Sequence, residues 1–182
     1  GTQFTMLENL SLVGNTLSTV ALKFEGGIFA GNAVNPDGTM LASARFNHFK
    51  NLTIDSKSTA GVSNAGTTCI RYFTTSSTET DTGKAVSYNT IEGCTLTGFW
   101  RAAWRNFGIS NTNPDRGNVL KNCVIGSVSL TSGTGSDIRA LEMDAQSNLT
   151  IANNTISNIE STIMTFFIYM RVITGSTIKY FR

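Results

Sequence analysis

The sequence predicts an all-β solenoid: about five to six coils of short strands, with inserted loops and no obvious end caps. Two observations carry this expectation. A six-residue phrase recurs six times, and a segment alternating with period two falls in each interval between copies. Repeats at such intervals suggest units that bury their apolar faces only against their neighbours.

The copies are Leu7-Glu8-Asn9-Leu10-Ser11-Leu12, Phe49-Lys50-Asn51-Leu52-Thr53-Ile54, Ile91-Glu92-Gly93-Cys94-Thr95-Leu96, Leu120-Lys121-Asn122-Cys123-Val124-Ile125, Ile151-Ala152-Asn153-Asn154-Thr155-Ile156 and Ile173-Thr174-Gly175-Ser176-Thr177-Ile178. The first residue is large and apolar, the third is Asn or Gly, and the sixth is Leu or Ile. Asn and Gly both tolerate the left-handed backbone region at low cost. Each phrase therefore predicts a strand end, a sharp turn at positive φ, and a new strand. The copies start at 7, 49, 91, 120, 151 and 173, giving intervals of 42, 42, 29, 31 and 22. The shortest interval matches a minimal coil, since three short strands and their turns fit in about 20–25 residues at roughly 3.3 Å per strand residue. The longer intervals are expected to hold the same coil with loops added, which costs little.

The second strands are expected at Ala21–Glu25, Cys69–Phe73, Ala103–Phe107, Ala140–Asp144 and Thr162–Phe166. Their alternation is the signal of a half-buried strand. The inward set is Leu22, Phe24, Ile70, Tyr72, Trp104, Leu141, Met143 and Ile163. The third alignment is the least comfortable, because it points Asn106 inward.

The segment Asn148-Leu149-Thr150-Ile151-Ala152-Asn153-Asn154-Thr155-Ile156-Ser157-Asn158 is similar to the coil consensus of the right-handed parallel β-helix family, the pectate-lyase-like fold. The resemblance covers nearly the whole chain. It implies a ladder of stacked turn asparagines, here Asn9, Asn51, Asn122 and Asn153, interrupted by Gly93 and Gly175. Side-chain amides about 4.8 Å apart can hydrogen-bond along such a stack. The family holds lyases, hydrolases, phage tailspikes, adhesins and structural stalks, so fold alone carries no activity.

Composition narrows the class. Only 14% of the 182 residues are charged, against a usual quarter or so. Ser, Thr, Asn and Gly supply the polarity, which is the texture of an extracellular or cell-surface β-protein. A net charge of +2 is too small to argue for nucleic acid or an anionic membrane. No signal peptide is seen, so a secreted form would lack its leader in this chain. The most apolar stretch, Ile163 to Ile173, carries Arg171 and is too short to span a bilayer. Cys94 and Cys123 fall in the same inward slot of adjacent coils, and Cys69 lies apart. In-register side chains point the same way rather than at each other, so buried free thiols are expected instead of a disulfide. No paired Cys and His spacing suggests a metal site, and no cofactor is expected. The phrases run almost to both ends of the chain, and bare solenoid ends expose strand edges. Residues 1–182 are thus expected to form one domain, either a segment of a longer solenoid or a subunit that self-associates end to end.

Function would sit on the loop-flanked face. The long loops are expected at Gly26–Ala44, Thr74–Val86, Ile109–Gly117 and Thr131–Asp137, walling a groove along the second strands. Two outward columns line it: Lys23, Arg71, Arg105, Glu142, Met164, and Glu25, Phe73, Phe107, Asp144, Phe166. Lys23, Arg71, Phe73, Arg105 and Phe107 are the candidate ligand-binding residues, since aromatic faces stack on sugar rings while charged groups bind hydroxyls. The plain alternative is a solvated face with cross-strand ion pairs. Glu142 and Asp144 are the candidate catalytic residues, about 7 Å apart as i and i+2 neighbours, a separation suited to paired glycosidase carboxylates. Two solvated acids on one strand are the favoured reading. The Asp clusters and the Gly-His-Gly and Arg-x-Lys signatures of β-helix pectinases are absent. His48, the single histidine, is expected to face solvent with no orienting partner. Asp37 and Asp115 sit in turn sequences, where Ca²⁺ ligation is the weaker reading. The fifth phrase position, Ser11, Thr53, Thr95, Val124, Thr155 and Thr177, forms an outward hydroxyl column one residue wide. The best reading is a non-enzymatic extracellular module: a stalk, a surface adhesin or a filament-forming subunit. Its expected partners are its own kind or a longer solenoid, and possible polysaccharide, without nucleic acid or a membrane span. The alternative left open is a polysaccharide-binding or polysaccharide-degrading protein using the groove face.

Overall fold

The computed structural model describes residues 6–9, 11–13, 28–31, 45–56, 68–73, 85–99, 102–108, 114–130, 138–161 and 165–181. These residues hold strands and no helix. In chain order the strands are β1 (Met6–Glu8), β2 (Ser11–Val13), β3 (Ile28–Gly31), β4 (His48–Lys50), β5 (Thr53–Asp55), β6 (Thr68–Phe73), β7 (Thr90–Glu92), β8 (Thr95–Thr97), β9 (Ala102–Phe107), β10 (Asp115–Arg116), β11 (Val119–Lys121), β12 (Val124–Leu130), β13 (Ile138–Ser147), β14 (Thr150–Ser161), β15 (Thr165–Thr174) and β16 (Thr177–Phe181). Every pairing is parallel. A ten-stranded sheet runs β1-β4-β7-β11-β14-β12-β8-β5-β2, with β16 also on β14. A six-stranded sheet runs β10-β13-β9-β6-β3, with β15 also on β13.

The register aligns five copies of the phrase. Leu7, Phe49, Ile91, Leu120 and Ile151 are successive partners. The third phrase residues follow in file, joined by backbone bonds from Asn9 N to Lys50 O (3.1 Å), Asn51 N to Glu92 O (2.9 Å), Gly93 N to Lys121 O (3.1 Å) and Asn122 N to Ala152 O (3.1 Å). All five sit at positive φ, from 52° to 63°. Gly93 leaves room for its neighbour, since a Cβ there would meet Asn51 Oδ1 at 2.5 Å.

The sixth copy corrects the reading. Gly175 lies in a second file of corners with Phe46, Tyr88, Gly117 and Asn148, whose backbone bonds run Phe46 N to Ser87 O, Tyr88 N to Arg116 O, Gly117 N to Ser147 O and Asn148 N to Thr174 O. Its true partner is Asn148, and Ile178, not Ile173, continues the column of Ile151. Thr177 accordingly pairs with Thr150 and leaves the predicted hydroxyl column. The reason is that both corners need the same local chemistry: a residue at positive φ, then inward, outward and inward side chains. Asn148-Leu149-Thr150-Ile151 and Asn153-Asn154-Thr155-Ile156 therefore look alike in sequence, and Gly175-Ser176-Thr177-Ile178 matches either. The pairing of Gln146 with Ile173 and Ser147 with Thr174 in β13 and β15 decides between them.

The six-stranded sheet corrects the outer second strands. The segment that pairs β6 is β3, inside the expected loop Gly26–Ala44. The expected strand Ala21–Glu25 lies outside the described residues. At the other end β15 puts Ile168 opposite Leu141, so Thr162–Phe166 is not the aligned segment. The expected inward residues Ile70, Tyr72, Trp104, Leu141 and Met143 are buried, whereas Leu22, Phe24 and Ile163 fall outside the described residues. Tyr72 and Trp104 meet edge to face with centroids 5.6 Å apart, the arrangement that ring quadrupoles favour.

Two inward polar files run through the core. Immediately after the second corner come Asn47, Asn89 and Asn118, all buried. Asn89 Oδ1 accepts from Asn47 N (3.1 Å) and Asn47 Nδ2 (3.0 Å). Asn118 Oδ1 accepts from Asn89 N (3.0 Å) and Asn89 Nδ2 (3.3 Å), and Asn118 Nδ2 donates to Val86 O (2.8 Å). The predicted corner ladder is by contrast exposed, with one bond from Asn51 Nδ2 to Asn9 Oδ1 (3.2 Å). After the first corner, Cys94 N donates to Cys123 Sγ (3.4 Å) and Cys123 N donates to Asn154 Oδ1 (2.8 Å). All three cysteines are free and buried. Burial pushes the Cys69 thiol up to about 12. The bond to Cys94 and, after it, burial raise Cys123, while that bond lowers Cys94.

Candidate functional site

The outer face of β9, β13 and β15 carries most of the candidate residues. Period-two alternation sends Trp104 and Asn106 inward and Arg105 and Phe107 outward. Asn106 does occupy the core, where its Nδ2 donates to Gln146 Oε1 (2.8 Å). The register puts Phe29, Arg71, Arg105, Glu142 and Tyr169 in one row and Gly31, Phe73, Phe107, Asp144 and Arg171 in another. The sequence reading thus holds at the three central strands. Its end members change, because Tyr169 and Arg171 stand where Met164 and Phe166 were expected. Lys23 and Glu25 lie outside the described residues, as do Met164 and the side chains of Arg71, Phe73 and Phe166.

Glu142 is buried even though its side chain faces outward, with relative exposure of 1%. Arg105 Nε lies 3.0 Å from its Oε2, and Arg139 donates to its Oε1. Both carboxylate oxygens are therefore engaged by guanidinium groups, which offsets the cost of burying the charge. Each arginine also lies over an aromatic ring: Arg105 over Phe107 at 4.5 Å, and Arg139 over Tyr169 at 4.1 Å. Asp144 accepts from Arg171 Nε at 3.0 Å and from a second nitrogen of the same guanidinium. That carboxylate raises the Arg171 guanidinium. The network ties three consecutive strands of the sheet together. A glycosidase acid must reach a leaving group and hold a proton. Glu142 is shut in by two cations, Arg105 and Arg139. Arg139, Tyr169 and Arg171 were missed in the sequence because their roles depend on cross-strand register.

A second file of charge runs along β1, β4, β7 and β11. Lys50 Nζ lies 3.0 Å from Glu8, Lys121 Nζ 3.2 Å from Glu92, and His48 Nε2 3.1 Å from Glu92 Oε2. His48 thus has an orienting carboxylate, contrary to expectation. Lys121 first, and His48 after it, hold the Glu92 carboxyl below its usual value. The signal was present in the phrase, whose second residue reads Glu, Lys, Glu, Lys over the first four copies.

Asp115 is buried in β10, and its Oδ1 accepts from Val86 N (3.0 Å), 29 residues earlier in the chain. Asp37 lies outside the described residues. Among the described residues no three His, Cys, Asp or Glu side chains gather as a metal site, and no helix is long and apolar enough to cross a membrane. No protein-family model, curated protein or solved structure matches this chain.

Proposed function

We propose that the chain winds as a right-handed parallel β-helix and serves as an extracellular structural or adhesive module: a stalk, a surface adhesin or a filament-forming subunit. The observation that carries this reading is the fate of the acids on the candidate groove face. Glu142 lies between Arg105 and Arg139, and Asp144 lies on Arg171. Those contacts bind consecutive strands instead of presenting a reactive group. Two files of corners and parallel register throughout further support a rod whose units stack on one another.

The test is incubation with a panel of polysaccharides, read for new reducing ends or unsaturated products, together with electron microscopy of the purified chain. The expected result is no turnover and end-to-end fibres. Turnover abolished by Glu142→Gln or Asp144→Asn would defeat the structural reading, and dispersed monomers would count against assembly. A second reading, polysaccharide binding on the same face, draws support from the Arg105–Phe107 and Arg139–Tyr169 pairs. It predicts binding without turnover that Phe107→Ala weakens.

A further inference from the structure

The second file of corners contains two residues that local chemistry does not explain. Gly117, Asn148 and Gly175 meet its positive φ with residue types that tolerate it, but Phe46 (φ 57°) and Tyr88 (φ 59°) do not. Backbone strain of this kind concentrates at functional sites, and the inference runs from the outlier to the function. Both side chains are large, and they remain 43% and 41% exposed. Their rings stack with centroids 5.1 Å apart and planes 6° from parallel. Tyr88 also roofs Gly117, where a Cβ would meet the ring at 2.6 Å. The result is a stacked pair of large, partly exposed aromatic rings on the corner.

One guanidinium group lies against these rings, and a second arginine follows along the same corner. Arg45 lies 5.3 Å from both ring centroids. Arg116 holds the corresponding place two strands on, because Ser87 bridges Arg45 and its Oγ accepts from Arg116 N (2.9 Å). Two strand spacings put the arginine backbones about 10 Å apart. Neither side chain meets a carboxylate among the described residues, and each has a buried Nε with no hydrogen-bond partner there. Farther along the six-stranded sheet that β10 joins, Arg105, Arg139 and Arg171 all hold acids. Arginine pairs well with carboxylate and sulfate oxygens through its planar fork.

We infer that this corner is a binding surface for a linear anionic glycan. Sugar rings would lie against the Phe46 and Tyr88 stack, and sulfate or carboxylate substituents would be held by Arg45 and Arg116. An exposed pair of rings suits a polymer lying across it better than a small molecule that needs enclosure. This deepens the adhesive part of the proposed function and rests on it, by naming what is adhered to.

The experiment measures binding of dextran sulfate, unsulfated dextran and poly-L-glutamate to the whole chain by calorimetry at physiological salt. The wild-type chain is expected to bind dextran sulfate and not dextran. The double variant Phe46→Asn/Tyr88→Asn keeps the charge and uses a residue that Asn148 already carries at this corner. It should lose at least tenfold in affinity while its melting temperature holds or rises. Arg45→Gln/Arg116→Gln should lose as much, which keeps the test decisive if the aromatic variant misfolds. Unchanged affinity in the folded variants overturns the inference, as does absence of binding. Equal binding of poly-L-glutamate through the same residues overturns it in favour of an acidic polypeptide. Fibre formation seen by microscopy is independent of these variants, so failure here leaves the rod reading separately testable.

Discussion

Replacing Asn89 by alanine tests which asparagine file holds the core together. The change removes Asn89 Oδ1, the acceptor for Asn47 N and Asn47 Nδ2 at 3.1 and 3.0 Å, and the Nδ2 donor at 3.3 Å from Asn118 Oδ1. Asn47, Asn89 and Asn118 are 4%, 0% and 0% exposed, so water does not replace the lost partner. Two buried donors that lose an acceptor, at about 1–2 kcal/mol each, give a loss of about 2–4 kcal/mol. The total stability of a domain is only about 5–15 kcal/mol. With a urea m-value of about 2–3 kcal/mol/M, the midpoint should fall by about 1–2 M. Asn122→Ala is the comparison, because Asn122 is an exposed corner residue at φ 56°. There the cost is mainly that of placing alanine in the left-handed region, about 1 kcal/mol. Urea unfolding followed by circular dichroism reads both. An Asn89→Ala variant within 1 kcal/mol of wild type, or one milder than Asn122→Ala, would refute the argument that the inner file carries the load.

Three further outcomes are expected. Glu142→Leu leaves Arg105 and Arg139 without their shared carboxylate in a part-buried site and should cost about 3–5 kcal/mol; adding Arg105→Met should recover part of it, and a chemical-denaturation double-mutant cycle checks this. Gly126→Ala brings a Cβ to 1.7 Å from Ser157 O, which needs backbone movement and should cost about 3 kcal/mol or more; a soluble variant with an unchanged melting temperature counts against this register of β12 and β14. The Cys69 thiol is raised from 9.0 to about 12 in the folded chain, so its stabilising contribution is complete below pH 9 and disappears as pH rises from there towards 12. The melting temperature should fall across that window and fall less in Cys69→Val, and no thiol should react with a thiol reagent at pH 8 until the chain is unfolded.

The sequence carried the corners because their chemistry is local. A residue at positive φ selects Asn or Gly whatever surrounds it, and five of the six predicted corners stand in one file. It carried the central strands for the same reason, since period-two alternation belongs to each strand alone. Phe46 and Tyr88 escaped notice because they break the local rule. The buried asparagines Asn47, Asn89 and Asn118 escaped because polar residues at inward positions read as turn ends until their partners are known.

The tertiary structure alone decided register at the ends of the sheets. Two kinds of corner share one sequence pattern, and the separations between aligned residues vary, 42 from Asn47 to Asn89, 29 from Asn89 to Asn118 and 27 from Leu149 to Ser176. Loops of unequal length leave the count along the chain unable to say which residues face each other. That choice moved Gly175 to the second corner and put Tyr169 and Arg171 beside Glu142 and Asp144. It also turned the two candidate catalytic acids into ion pairs. An ion pair is a relation between strands, so its partners emerge only when apolar packing across the whole sheet has set the register.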